Sequence, residues 1–180
     1  MSGAHALQAL ERATIVHDAA AVKRAVEQMA VRIDLELGER EPIVMAVLQG
    51  GVYLTGQLLP LLNFPLQQAS VHVSRYSAGQ PGDLIWHARP TMPVAGRTVL
   101  IVDDVFDEGL TLAALAAHLA EQHAGAVYAA VLANKAVPKK TPFRPQFVAL
   151  ECGSEYLFGC GMDMDGYWRN LPAIYAASAS

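Results

Sequence analysis

Apolar residues fall into two patterns along this chain: short continuous runs, and stripes recurring at spacings of three and four. The stripe Val22, Ala25, Val26, Met29, Ala30, Ile33 and Leu37 predicts a helix over 18–37 with one apolar face. Asp18 suits its N-cap and Gly38 its terminator. Ile43 to Leu48 is a continuous run, expected of a strand buried on both faces, and it is followed by Gln49, Gly50, Gly51 and a helix from Val52 to Leu62. The same order recurs in VLIVDDVFDEGLT, residues 99–111. Here an apolar strand ends at Asp103 and Asp104, the acid pair Asp107 and Glu108 precedes Gly109, and helix formers run from Leu110 to Ala120. Two strand–turn–helix units are the minimum for a parallel sheet built from βαβ crossovers, so the class is α/β.

The rest of the chain fills out that sheet. Two β-rich runs, VHVSRY and LIWHA, flank the polar loop SAGQPGD, which predicts a hairpin arm carrying a flap. Ala126 to Ala133 and Phe147 to Leu150 read as further core strands, joined by the connection AVPKKTPFRP, in which Lys139 and Lys140 read as surface residues. The tail from Glu151 to Tyr175 lacks clear periodicity and is expected to form a small hood over the sheet edge.

In an open α/β sheet, ligands sit beyond the carboxyl ends of the strands, facing the amino end of the next helix. The free N–H groups there, with the helix dipole, attract anions, and Gly109 permits close approach to the main chain. Carboxylates beside an anion site make sense if the ligand also carries hydroxyls and a divalent cation.

Composition narrows the classes. The 180 residues suit one domain; 53% are apolar and 17% charged, which excludes a disordered chain, and a net charge of −4 argues against nucleic acid as the main partner. Cys152 and Cys160 form no CxxC pair, which favours a reducing compartment without disulfides or zinc. The start MSGAHALQALERA lacks the pattern of a secretory signal, and no apolar run approaches the roughly 20 residues of a membrane span. A soluble cytoplasmic protein is expected. The six histidines do not fall at metal-ligand spacing.

The stretch 99–111, the turn LQGG and the late segment EYLFGCGMDMDGYWRNLP, in that order, resemble the type I phosphoribosyltransferases, and within them the hypoxanthine-guanine branch. The resemblance implies that fold, with a mostly parallel sheet flanked by helices, a β-hairpin flap and a small hood. It implies a Mg²⁺-dependent transfer of the 5-phosphoribosyl group from phosphoribosyl pyrophosphate to a 6-oxopurine, by a homodimer or homotetramer. Asp103 and Asp104 match the acids that receive the ribose hydroxyls, directly or through Mg²⁺, and Asp107 matches the proton-handling acid near N7 of the purine. Glu108, Gly109, Leu110 and Thr111 match the 5-phosphate loop, and Gln49 and Gly50 the pyrophosphate loop, which often begins with a non-proline cis peptide. Lys135 matches the donor to the 6-oxo group, Tyr156 the residue stacked on the base, and Leu157 the main chain that reads its edge. Asp163 matches a magnesium-linked carboxylate, Arg169 a pyrophosphate contact, and Tyr76 the flap tyrosine that closes over the reacting centre.

Several positions depart from the family pattern. Glu108 replaces a serine or threonine and is expected to point away from the phosphate. Gln49 replaces a lysine or arginine, Leu110 has no side-chain donor, and Arg75 takes the usual flap serine position. Local rivals are a helix N-cap for Asp107, a surface lysine at 135, core packing for Tyr156, a solvated turn for Asp163 and structural pairing for Arg169. Rival functions are a non-catalytic regulator that binds phosphoribosyl pyrophosphate and nucleic acid, which needs a basic face, and a transferase for xanthine. Adenine is disfavoured because the Lys135 ammonium cannot accept from a 6-amino group.

Overall fold

A computed structural model describes residues 2–75 and 84–178. In chain order the elements are α1 (Gly3–Arg12), β1 (Thr14–His17), α2 (Ala19–Leu37), β2 (Ile43–Leu48), α3 (Gly51–Leu58), β3 (Gln67–Arg75), β4 (Leu84–Ala88), β5 (Thr98–Phe106), α4 (Leu110–Glu121), β6 (Ala126–Lys135), β7 (Phe147–Cys152), β8 (Leu157–Phe158) and β9 (Ile174–Ala176). Six strands form the main sheet in the order β4-β3-β2-β5-β6-β7, with β4 antiparallel to β3 and all other pairs parallel. The expected α/β class and mostly parallel sheet are observed.

Alternation of side chains across the strands builds a core on each face of this sheet. Val44, Leu100, Val102, Ala130 and Leu132 face α2 and α3, against Met29, Ile33, Leu37, Leu54 and Leu58. Met45, Val99, Ile101, Ala129 and Val131 face the other way, against Leu112, Leu115 and Leu119 of α4. All seven apolar positions of the α2 stripe are buried, and the Asp18 carboxylate accepts from the Ala21 amide at 2.7 Å as its N-cap. Burial of both faces is why β2 reads as an unbroken apolar run.

Three boundaries differ from the sequence reading. Strand β5 does not stop at the acid pair: Asp103, Val105 and Phe106 stay in register with Val131, Ala133 and Asn134 of β6, so neighbouring backbone overrides the polar side chains. The helix expected over 52–62 starts at Gly51, ends at Leu58 and tightens into a 3₁₀ turn over Leu59–Leu61, where Pro60 brings no amide to an α-helical ladder. The hood contains regular structure that its composition did not reveal. Strands β1, β9 and β8 form a three-stranded antiparallel sheet, and the Trp168 indole donates to the Ala6 carbonyl of α1 at 2.9 Å. The N-terminal segment thus belongs to the hood, a pairing across more than 150 residues that no local pattern carries.

Candidate active site

Chain order along β5 and into α4 lines a cavity of about 260 Å³ with ten consecutive residues, Asp103 to Leu112. A second cavity, of about 190 Å³, is lined by Asp104, Val105, Asp107, Lys135, Tyr156, Leu157, Met162 and Asp163. The two share Asp104, Val105 and Asp107, so the end of β5 forms a common wall. Eleven residues expected at the site from the sequence line one cavity or both: Asp103, Asp104, Asp107, Glu108, Gly109, Leu110, Thr111, Lys135, Tyr156, Leu157 and Asp163.

Asp103 and Asp104 are buried, at 8% and 9% exposure, although both are acids. Asp103 Oδ1 accepts from the Asp104 amide at 2.9 Å, and Arg169 Nη1 stands 3.9 Å from Asp104 Oδ2. Burial, and then the neighbouring Asp104 charge, hold the Asp103 carboxyl well above the usual carboxylate range. Burial raises Asp104 too, against the opposing pull of its bond with Asp103 and of Arg169. A divalent cation or a set of hydroxyl donors is the chemical remedy for such a pair.

Gly109 carries φ +85°, which suits glycine, and a Cβ there would lie 2.8 Å from the Phe106 ring and from the Thr141 methyl. It is the N-cap of α4 and no side chain caps that end among the described residues, so Asp107 is not the N-cap. The first amides of α4 lack intrahelical acceptors by construction, and their residues line the cavity, an arrangement that attracts anions. Glu108 is drawn sideways: its Oε1 lies 2.6 Å from Lys140 Nζ, and its carbonyl accepts from the Lys140 amide at 3.0 Å.

Asp107 Oδ2 faces Lys135 Nζ at 3.5 Å. The Lys135 side chain is only 13% exposed while that of Asp107 is 48% exposed, so the lysine is not a surface residue. Tyr156 is 56% exposed and donates its hydroxyl to the Asp163 carbonyl at 2.9 Å, so it is not a core residue. Asp163 accepts from the Gly166 amide at 2.6 Å through Oδ2 and pairs with Arg169 Nη2 at 2.6 Å through Oδ1. Arg169 also donates to the Gly161 carbonyl at 2.6 Å, while its buried Nε has no partner among the described residues. Asp103, Asp104 and Asp163 are not gathered into a three-carboxylate metal cluster; among the described residues no such group of three occurs.

The turn after β2 completes the wall. The Leu48–Gln49 peptide is cis. A Cβ at Gly50 would overlap the Asp104 carboxylate, and one at Gly161 would overlap the Gly50 carbonyl, so hood, turn and β5 meet through two glycines. Gln49 lines neither cavity but precedes this contact. Tyr76 lies outside the described residues, and Arg75 is the last residue of β3.

Sequence reasoning missed two lysines. Lys139 is partly buried, donating to the carbonyls of Phe106 at 3.1 Å and Lys135 at 2.6 Å, with Nζ 4.8 Å from the Phe106 ring centre. Burial lowers its pKa from the ordinary lysine value, opposed by the Asp107 charge. Lys140 is exposed, but it is the partner of Glu108. The signal was Glu108 itself, an acid beside a helix N-terminus whose charge is eased by a cation from another segment. Cys152 and Cys160 are both buried free thiols, each raised to about 11 by burial, which leaves them protonated and unreactive at neutral pH.

Residues 12–164 match the family model described as a phosphoribosyl transferase domain. A hypoxanthine-guanine phosphoribosyltransferase of Aquifex aeolicus is 29% identical over 157 residues, covering 86% of this chain and 88% of the relative. A hypoxanthine-guanine-xanthine phosphoribosyltransferase of Tritrichomonas foetus is 27% identical over 155 residues, 85% of each. Among solved structures, a hypoxanthine phosphoribosyltransferase of Trypanosoma cruzi in complex with the product IMP superposes with a TM-score of 0.87 at 24% identity, covering 93% of this chain and 96% of that one. With a match across most of its length, this chain belongs to the phosphoribosyltransferase family.

Proposed function

We infer that this protein transfers the 5-phosphoribosyl group of phosphoribosyl pyrophosphate to hypoxanthine or guanine, giving the nucleotide and pyrophosphate in purine salvage. The observation that carries the reading is the pair of cavities with Asp104 and Asp107 in both. One has an anion-binding helix end beside buried carboxylates, and the other has a lysine donor and an exposed tyrosine. A sugar phosphate in the first and a flat base in the second would meet at Asp107.

The residues then divide the work. Amides of Gly109, Leu110 and Thr111 with the Thr111 hydroxyl take the 5-phosphate, and Asp103 and Asp104 take the ribose hydroxyls. Gln49, Gly50 and Arg169 face pyrophosphate, toward which the Arg169 guanidinium contributes positive charge beside Asp104 and Asp163. Lys135 donates to the 6-oxo group, Tyr156 stacks on the ring, and Leu157 presents main chain to its edge. Asp107 accepts the proton of the attacking nitrogen. The flap carrying Tyr76 excludes water from a cation-like sugar.

Mg²⁺ is the cofactor this reading carries, and the donor set fits a hard cation. Asp103 and Asp104 would hold it together with substrate oxygens and water, whereas Asp163 is engaged by Arg169 and Gly166. Bound there with the substrate, the ion would supply positive charge to offset that of the leaving pyrophosphate. We place the protein in the cytoplasm; no helix among the described residues is long and apolar enough to cross a membrane. A homodimer or homotetramer is the assembly that this reading carries.

The test is a spectrophotometric screen of hypoxanthine, guanine, xanthine and adenine with phosphoribosyl pyrophosphate and Mg²⁺. Turnover with hypoxanthine or guanine, lowered by about 10²–10⁴-fold in Asp107→Ala with an unchanged circular dichroism spectrum, is expected. Near-normal turnover in Asp107→Ala would sink the role given to that residue. Turnover with xanthine alone would favour the second reading, which the similarity to the Tritrichomonas enzyme keeps in view. Binding without turnover would favour a regulator.

A further inference from the structure

Lys139 lines neither cavity, yet it ties together the two strand ends that carry the base-facing residues. β5 ends at Phe106, the residue before Asp107, and β6 ends at Lys135. Beyond those points the strands no longer pair, and the carbonyls of Phe106 and Lys135 both accept from one ammonium, at 3.1 and 2.6 Å. The same ammonium stands over the Phe106 ring, which packs in turn beneath Gly109. Charge-assisted bonds to two carbonyls in a partly buried place are stronger than neutral ones, and they leave little freedom in the separation of the two chain segments.

We propose that Lys139 is a positioning residue that sets Asp107 and Lys135 relative to each other, and so aligns the proton acceptor and the oxo donor on the purine. The proposal rests on the oxopurine reading above. Asp107 and Lys135 are 3.5 Å apart without a base between them, and among the described residues neither side chain has another hydrogen-bonding or ion-pair partner. Their backbone anchorage is therefore what a base would meet. A lysine serving only to hold the 136–146 connection would affect stability, or all kinetic constants together. A positioning lysine affects the base and the chemical step, and spares the sugar phosphate.

Two variants of the full chain separate these cases. Lys139→Met keeps the length and the contact with Phe106 but removes the donor; Lys139→Arg keeps the charge and can reach both carbonyls. The Met variant is expected to lose about 10- to 100-fold in kcat and to raise KM for the base, with KM for phosphoribosyl pyrophosphate within about twofold of wild type. The Arg variant should recover most of the loss. Hydrogen exchange, which needs no substrate, should quicken on the order of tenfold in segments 104–109 and 133–138 of the Met variant while β2 is unchanged. Wild-type kinetics and exchange in the Met variant would overturn the proposal, as would a parallel fall in both KM-dependent rates and in Tm without recovery by Arg. If the wild type turns over no oxopurine, the functional reading fails on its own. Exchange then decides this one: acceleration confined to the two segments upholds the tie, and none or uniform acceleration overturns it.

Discussion

Burial of Asp103 and Asp104 side by side raises both carboxyls, so in the ligand-free protein their ionised forms are disfavoured relative to the unfolded chain. For an acid whose folded pKa is raised, the stabilising contribution is present at low pH and is lost as pH climbs through the raised value. Asp103→Asn keeps the oxygen that accepts from the Asp104 amide and removes the charge. In EDTA at neutral pH its Tm should rise, by about 2–4 °C for each kcal/mol recovered, while turnover collapses. Calorimetry of the two proteins from pH 5 to 8 tests this, and a lower Tm in the Asn variant would refute the account. That outcome would mark the acids as serving a ligand and not the fold.

At the scale of elements, the connection between β6 and β7 does more than close a loop. It reaches the turn between β5 and α4 at three points: the Lys139 ammonium over the Phe106 ring, Lys140 on Glu108, and the Thr141 methyl beside Gly109. Exposed ion pairs add little stability by themselves. Beside a dianion, however, the Lys140 cation offsets the Glu108 charge across a short distance. Lys140→Met should raise KM for phosphoribosyl pyrophosphate by about three- to tenfold with little change in Tm. Glu108→Thr should be neutral or better, and the double variant should return KM close to wild type. Additive effects in this cycle, measured at fixed ionic strength, would show that the pair does not act as a unit.

At the scale of the molecule, the hood is seated on the sheet through small residues. Gly161 meets the Gly50 carbonyl and Gly50 meets the Asp104 carboxylate, so layers separated by more than 100 residues touch where the acids lie. Gly161 has φ +102°, a conformation costly to any other residue by about 1–2 kcal/mol. Gly161→Ala adds a clash with backbone to that cost, and it should lower Tm by more than about 4 °C and displace Arg169, which donates to the Gly161 carbonyl. The expected readout is a larger loss in kcat/KM for phosphoribosyl pyrophosphate than the change in Tm explains. A variant with unaltered Tm and kinetics would show that the hood does not depend on this contact.

Runs such as IVMAVL and VLIV are apolar because both faces of a central strand are covered, and the α2 stripe repeats because one face is. Those patterns are local consequences of burial, so the core strands, α2 to α4 and the α/β class were legible in the amino-acid sequence, as was the turn from β5 into α4, whose acids, glycine and helix start are contiguous. Lys135, Tyr156, Asp163 and Arg169 were legible only through resemblance, because their meeting with Asp107 depends on strand order and on the hood. What tertiary structure alone decided has no local signature. Pairing of β1 with β9, the seat of Gly161 on Gly50, and the reach of Lys139 and Lys140 back to the turn from β5 into α4 each join distant segments. A lysine in a polar connection reads as solvated until the fold places a carbonyl or a carboxylate against it.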